Sequence, residues 1–379
     1  MKFTISQDNM LLGLQRVQSV VERRTTMPIL SNALIRADKN TLTISATDLE
    51  VGIQSILPAS IEQPGSITIK AKSLLEIVRE LSGTEISFET KDNHRLEIKA
   101  RKSTFNLLGL PAEDFPEIPG FSSEQSLPFV RMNGTAMTAM LDKTLYAASN
   151  DEARYHLNGV YFETLTNEQR KRVFRMVATD AHRLALVDYP DALFDDSAWQ
   201  MFENGVIVPR KGLNELRRLL SEDKEDFFAA IKDKMLFIKR DNIFLSMRLI
   251  DSKYADYRRI IPEAAEKAIE LERDAFLASL KRVSLLASDK SRSLTIEVNP
   301  GVLQLSSHSP ELGDASEEIP VEYDGDSQRM GFNSRYLIDA ISTMEGDHVI
   351  LELKGKQSPG VLRSTAGHNH TSVIMPMRI

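Results

Sequence analysis

The chain has 379 residues, 42% hydrophobic and 27% charged, which is ordinary for a globular protein and long enough for two or three domains. It has no cysteine, so disulfides and thiolate metal sites are excluded. The net charge of −7, taken alone, argues against a nucleic-acid partner, and no apolar run approaches the roughly 18 residues of a membrane span. Met1-Lys2-Phe3-Thr4-Ile5 opens without an apolar signal core, so a cytoplasmic protein with no membrane partner is expected.

In chain order, Phe3-Thr4-Ile5 leads into a helix predicted over 8–24, with Met10, Leu14 and Val17 at helical spacing. Period-two alternation then predicts half-buried strands at Thr41–Ser45 and Ser66–Lys70, divided by the turn residues Asp38-Lys39-Asn40 and Gln63-Pro64-Gly65. A second helix is predicted over 70–81, followed by strands at Glu85–Glu89 and Arg95–Lys99. The pattern then recurs. Phe129-Val130-Arg131 enters a helix over 133–148, and another helix covers 208–220. Ile269-Glu270-Leu271 enters a helix over 272–290, strands follow at Leu294–Val298 and Val302–Ser306, and a last helix covers 332–344.

The period is roughly 125–140 residues, one domain rather than a solenoid unit of about 20–50. Each third reads strand, helix, strands, helix, strands. That is an α+β class of three repeated domains, each with two helices and antiparallel sheets. The segments Leu110–Pro119 and Ile250–Pro262 echo each other, each placing an acidic residue and an aromatic before a proline-ended exit. They read as connectors and give domains 1–125, 126–263 and 264–379. Three copies of a whole domain favour a role for shape over a single catalytic pocket.

Charge is unevenly spread. The six predicted helical segments carry +6 together, leaving −13 on strands and loops. Solvated helix faces commonly carry Lys and Arg, so this favours a polyanion partner only slightly.

Thr179-Asp180-Ala181-His182-Arg183-Leu184 is the most chemically loaded string, since a carboxylate near a histidine can serve acid–base chemistry. Its counterpart Thr47-Asp48-Leu49-Glu50 has no histidine, so a turn hydrogen bond is the better reading of the shared Thr-Asp. His368-Asn369-His370 lacks flanking ligands for a metal and reads as a surface strand or turn. No Walker-type or dinucleotide-binding glycine loop occurs. The tail Val373-Ile374-Met375-Pro376-Met377-Arg378-Ile379 stays apolar, as a core strand or as a methionine-lined surface that adapts to partner peptides.

Several strings in order resemble one family. They are Met27-Pro28-Ile29-Leu30-Ser31-Asn32, Ala46-Thr47-Asp48-Leu49-Glu50, Leu157-Asn158-Gly159-Val160, Val177–Leu184, Val208-Pro209-Arg210-Lys211-Gly212, Asp256-Tyr257-Arg258-Arg259, Gly331-Phe332-Asn333 and Met375-Pro376-Met377-Arg378. Together they are similar to the bacterial sliding clamps, the β subunits of DNA polymerase III, over the whole chain. The resemblance implies a non-catalytic processivity factor without cofactors. Two chains would form a head-to-tail homodimeric ring around double-stranded DNA, helices inside and sheets outside, in the cytoplasm with the nucleoid. Its partners would be the replicative polymerase α subunit, the clamp loader, translesion polymerases, mismatch repair proteins and ligase, each bound through a short peptide.

By the same resemblance the peptide pocket falls on Leu157, Thr179, His182, Arg183, Leu184, Arg259, Ile260, Val373, Met375, Pro376, Met377 and Arg378, with Asn333 and Tyr336 at its rim. DNA contacts fall on Arg24, Tyr155, His156, Arg210 and Lys211. In the dimer interface Phe105 and Leu107 would meet Leu285 and Leu286, and Lys72, Arg95 and Lys102 would oppose Glu311, Asp314, Glu317 and Glu318. Ala181 and Ala255 depart from the family's usual Gly and Pro. Two alternatives stand beside this reading: a monomeric peptide-binding adaptor, and a hydrolase using Asp180 and His182.

Overall fold

A computed structural model describes residues 1–21, 26–81, 83–121, 126–167, 169–190, 194, 196–221, 223–288, 292–355, 357–366 and 369–378. Arg24 and His368 lie outside the described residues. The chain forms two compact units, Met1–Met132 with Asn214–Leu249, and Asn133–Leu213 with Ile250–Ile379. The described α-helices are α1 (Gln7–Gln18), α2 (Ala71–Glu80), α3 (Gly134–Thr144), α4 (Asp196–Phe202), α5 (Arg210–Leu220), α6 (Arg273–Ser284) and α7 (Ser334–Ser342).

Each predicted strand-to-helix entry forms, and side chains cap three of them. Ser6 accepts from the Asn9 amide at 3.3 Å to start α1, Asn133 from Ala136 at 2.8 Å to start α3, and Glu272 from Ala275 at 3.0 Å to start α6. The helices predicted over 8–24 and 272–290 are shorter than expected: α1 ends at Gln18 and α6 at Ser284. The short α4 was not predicted; it buries only Ala198 and Phe202, too few residues for a periodic signal.

The first unit holds a thirteen-stranded antiparallel sheet. In its core Phe3 stacks on Phe88 at 4.7 Å, and α1 buries Met10, Leu14 and Val17. Gly13 lets α1 approach, because a Cβ there would lie 2.4 Å from Leu57 Cδ1. The second unit holds an eight-stranded and a four-stranded sheet. One core gathers Phe276, Leu280, Leu294, Ile296, Phe332 and Leu337; another gathers Leu157, Val177, Leu184, Tyr254, Tyr257 and Val373.

The compact units do not follow chain order, because sheets run across the connectors. Strand Ile243–Arg248 pairs along Val51–Pro58, with Leu245 opposite Ile53. Strand His370–Ile374 pairs along Arg183–Pro190, with Val373 opposite Leu184. The same pairing corrects one expectation. His370 is in a strand but not at the surface: it is only 2% exposed, with strands on both sides.

Candidate functional site

The Thr179–Arg183 segment is a closed turn. Thr179 Oγ1 donates to the Arg183 carbonyl at 2.6 Å and accepts from the Ala181 amide at 3.1 Å. Asp180 Oδ1 accepts from the amides of His182 at 2.9 Å and Arg183 at 3.0 Å, and Oδ2 accepts from Arg183 Nε at 3.1 Å. Ala181 sits at φ +72°. The first unit repeats this turn. Thr47 Oγ1 donates to the Val51 carbonyl at 2.9 Å, Asp48 Oδ1 accepts from the amides of Glu50 and Val51, and Leu49 sits at φ +78°. Asp180 is therefore a turn builder, and its carboxylate makes no bond to the His182 ring among the described residues.

Around this turn the structure collects most of the residues expected at the pocket. The His182 side chain is exposed, and its carbonyl accepts from the Met375 amide at 2.9 Å. Two residues on, the Met377 amide donates to the Gly331 carbonyl at 2.8 Å, so the tail is pinned to two different sheets. Between these bonds Met375 is 40% exposed and Pro376 and Met377 are half-buried. Leu157, Leu184, Val373 and the half-buried Ile260 pack in the cluster beneath. Arg259 and Arg378 are exposed, and Arg259 pairs with Asp256 at 2.9 Å.

Arg183 is a structural clasp. Its Nη1 reaches Asp339 Oδ2 at 2.6 Å, its Nη2 reaches the Tyr146 carbonyl at 2.7 Å, and its guanidinium lies 4.4 Å from the Tyr336 ring. Asn333 caps α7, accepting from the Arg335 amide at 3.0 Å. Asp339 and Tyr146 were missed in the sequence because each lies far from Arg183 along the chain and belongs to no motif.

The connector packs under the pocket. Tyr254 stacks on Tyr161 at 4.9 Å and donates to the Val177 carbonyl at 3.2 Å; burial pushes its phenol up. Tyr257 donates to Glu163 and accepts from Arg175 Nη1 at 3.1 Å. Burial, then the bond to Glu163, pushes it to about 12, so both tyrosines act as fixed donors at neutral pH.

Of the residues assigned to DNA, Tyr155 is 47% exposed, and His156, Arg210 and Lys211 are half-buried. Arg210 Nε is buried and has no hydrogen-bond partner among the described residues, and burial and the nearby Arg183 charge oppose its ionisation. Among the residues assigned to the dimer, Phe105 is 38% and Leu285 is 75% exposed, Leu107 and Leu286 are half-buried, and Lys72, Arg95, Lys102, Glu311, Asp314 and Glu318 are exposed. Glu317 is held within its own chain by Arg282 and by Ser279 Oγ at 2.7 Å. Leu108, 72% exposed, and Leu312, 55% exposed, were missed. An apolar residue on the solvent side of an alternating strand was the signal for Leu108. Strand Ser103–Leu110 pairs along Arg95–Ala100 on one side, but on the other, among the described residues, only Gly109 and Leu110 find strand partners. Strand Gly313–Pro320 is the last of its sheet.

Comparison with known proteins follows this geometry. Family models for the N-terminal, central and C-terminal domains of the DNA polymerase III beta subunit match residues 1–119, 131–256 and 258–378. The chain belongs to the DNA polymerase III beta-subunit family. A beta sliding clamp of Caulobacter vibrioides is 38% identical over 381 residues, covering 100% of both chains, and that of Pseudomonas aeruginosa is 31% identical over 386 residues with the same coverage. A Caulobacter crescentus clamp structure, with PEG at a putative beta-motif tethering region, superposes with a TM-score of 0.92 at 37% identity, covering 100% of this chain and 99% of that one. A Bartonella birtlesii clamp bound to griselimycin gives 0.91 at 32% identity, covering 100% of both. Like these relatives the chain is a DNA sliding clamp, a processivity factor with no catalytic activity of its own. No described helix is long and apolar enough to cross a membrane.

Proposed function

We propose that two copies of this chain close head to tail into a ring around duplex DNA and tether the replicative polymerase α subunit through the pocket built on the Thr179–Arg183 turn and the methionine tail. The clamp loader, translesion polymerases, mismatch repair proteins and ligase would use the same pocket. The observation that carries this reading is the ordered match of all three family segments across the full chain. Each chain would supply three domains, 1–125, 126–263 and 264–379, and so half of a six-domain annulus. The ring reading is supported by two open strand edges with exposed leucines, Ser103–Leu110 in one unit and Gly313–Pro320 in the other, beside Leu285 and Leu312. A head-to-tail contact closes when its rotation fits a ring. Encirclement needs only weak, sequence-independent phosphate contacts, which suits modest positive charge on the helices. The pocket reading is supported by Met375, exposed over a buried apolar floor, in a protein whose relatives hold griselimycin or PEG.

The ring is tested by loading the protein on nicked circular DNA and then cutting the circle. Retention on circles with rapid loss from linear ends is expected; equal retention on both refutes encirclement. The pocket is tested with a polymerase-derived peptide. Covering a Met side chain with a bound peptide contributes up to about 1.5–3 kcal/mol, so Met375→Ala should weaken binding about tenfold or more, and unchanged affinity refutes the assignment.

A further inference from the structure

The internal repeat exposes a second groove, in the first domain. A cavity of about 420 Å³ lies between the connector segment carrying Phe115 and Ile118 and the strands Asn32–Asp38, Thr41–Thr47 and Val51–Pro58. The shared Thr-Asp turn fixes the correspondence between domains, and strand register extends it. Leu34 opposite Ser45, Arg36 opposite Thr43 and Ser45 opposite Gln54 match Tyr161 opposite Val177, Glu163 opposite Arg175 and Val177 opposite Leu186.

In the second domain this place is full. Tyr254 lies on Tyr161, Tyr257 reaches Glu163 and Arg175, and Arg258 reaches both Glu163 oxygens at 3.1 Å. In the first domain the connector aligns Phe115 with Tyr254 and Ile118 with Tyr257. Neither carries a phenol, and Ile118 is drawn aside. It seats over Gly52, where a Cβ would lie 2.2 Å from Ile118 Cγ2 and where the second domain has Leu184. The space that Tyr257 fills in the second domain is therefore left open in the first. The charge at its end is also inverted: where Glu163 holds an arginine, the first domain has Arg36, exposed and in no ion pair among the described residues.

We infer that this groove is a second recognition site, for a partner peptide that presents an aromatic side chain next to a carboxylate. The aromatic ring takes the place that Tyr257 occupies in the second domain, and the carboxylate pairs with Arg36. Glu113 lines the connector side and repels a carboxylate there, which fixes the direction of the peptide. The site is independent of the methionine-tail pocket.

The test is methyl NMR on the full-length protein, titrated with acetyl-Tyr-Glu-amide and acetyl-Tyr-Lys-amide. Saturable shifts at the Leu34 and Ile118 methyls are expected with the glutamyl peptide, and they persist in Met375→Ala. Arg36→Glu, a change at an exposed position, should weaken the glutamyl peptide about threefold or more and favour the lysyl peptide instead. Absence of shifts at Leu34 and Ile118, shifts confined to Leu184, or equal binding of both peptides by wild type and Arg36→Glu would each overturn the site. Loss of the methionine-tail pocket alone would leave these shifts in place.

Discussion

Ala181 occupies a backbone conformation that suits glycine. At φ +72° an L-residue is strained by about 1–2 kcal/mol, and glycine escapes this at an entropic cost of about 0.4–1 kcal/mol in the unfolded chain. Ala181→Gly should therefore stabilise the protein by about 0.5–1 kcal/mol, read as a higher denaturation midpoint; a lower midpoint would show that the turn is not strained. The turn itself was legible in the sequence, because an Asp that bonds amides two and three residues on is a local device, and its recurrence at Thr47-Asp48 weighed against an acid–base pair. Arg183 was legible only as a member of a motif. Its grip on Asp339, 156 residues away, depends on tertiary placement that no local pattern encodes.

Strands were legible as elements, since alternation reveals which face is buried; it does not name the neighbouring strand. The pairing of Ile243–Arg248 with Val51–Pro58 could not be read for that reason, nor could the interior position of His370–Ile374. That position has a measurable consequence. Burial, reinforced by the Lys143 ammonium, pushes the His370 imidazole down to about 4; the Lys143 backbone and Glu345 oppose this more weakly. Among the described residues neither ring nitrogen completes a hydrogen bond of good geometry. The folded state thus binds the proton less readily than the unfolded chain, whose histidine titrates near 6.5. Stability from this source is complete above about pH 6.5 and is lost as pH falls toward about 4. The loss should reach about 2 kcal/mol near pH 5, at about 1.4 kcal/mol per pH unit. Urea denaturation of wild type and His370→Leu at both pH values checks this: the variant should lose the slope, and an equal slope in both assigns it elsewhere.

At the scale of the whole molecule, the threefold repeat and the family resemblance were readable end to end, while the residues that would join two chains were only partly so. Phe105 and Leu107 came from the family resemblance alone, which did not point to Leu108, the most exposed apolar residue of that strand. If the open edge seats a second copy, a charge at this position faces desolvation in the contact. Leu108→Glu should then shift the species at micromolar concentration from dimer to monomer in sedimentation equilibrium, and a persistent dimer would move the contact to another surface.

The long sheet of the first unit also sets a schedule for biosynthesis. Strand Val51–Pro58 leaves the ribosome early, but its neighbour Ile243–Arg248 is translated much later. At about 5–20 residues per second the interval is on the order of 10–40 s, during which a β-edge stands unpaired. A nascent chain arrested before residue 243 should therefore recruit holdase chaperones, and one arrested well beyond residue 248 should release them. Site-specific crosslinking at Ile53 reads this directly, and equal crosslinking at both lengths would show that the edge is protected by other means.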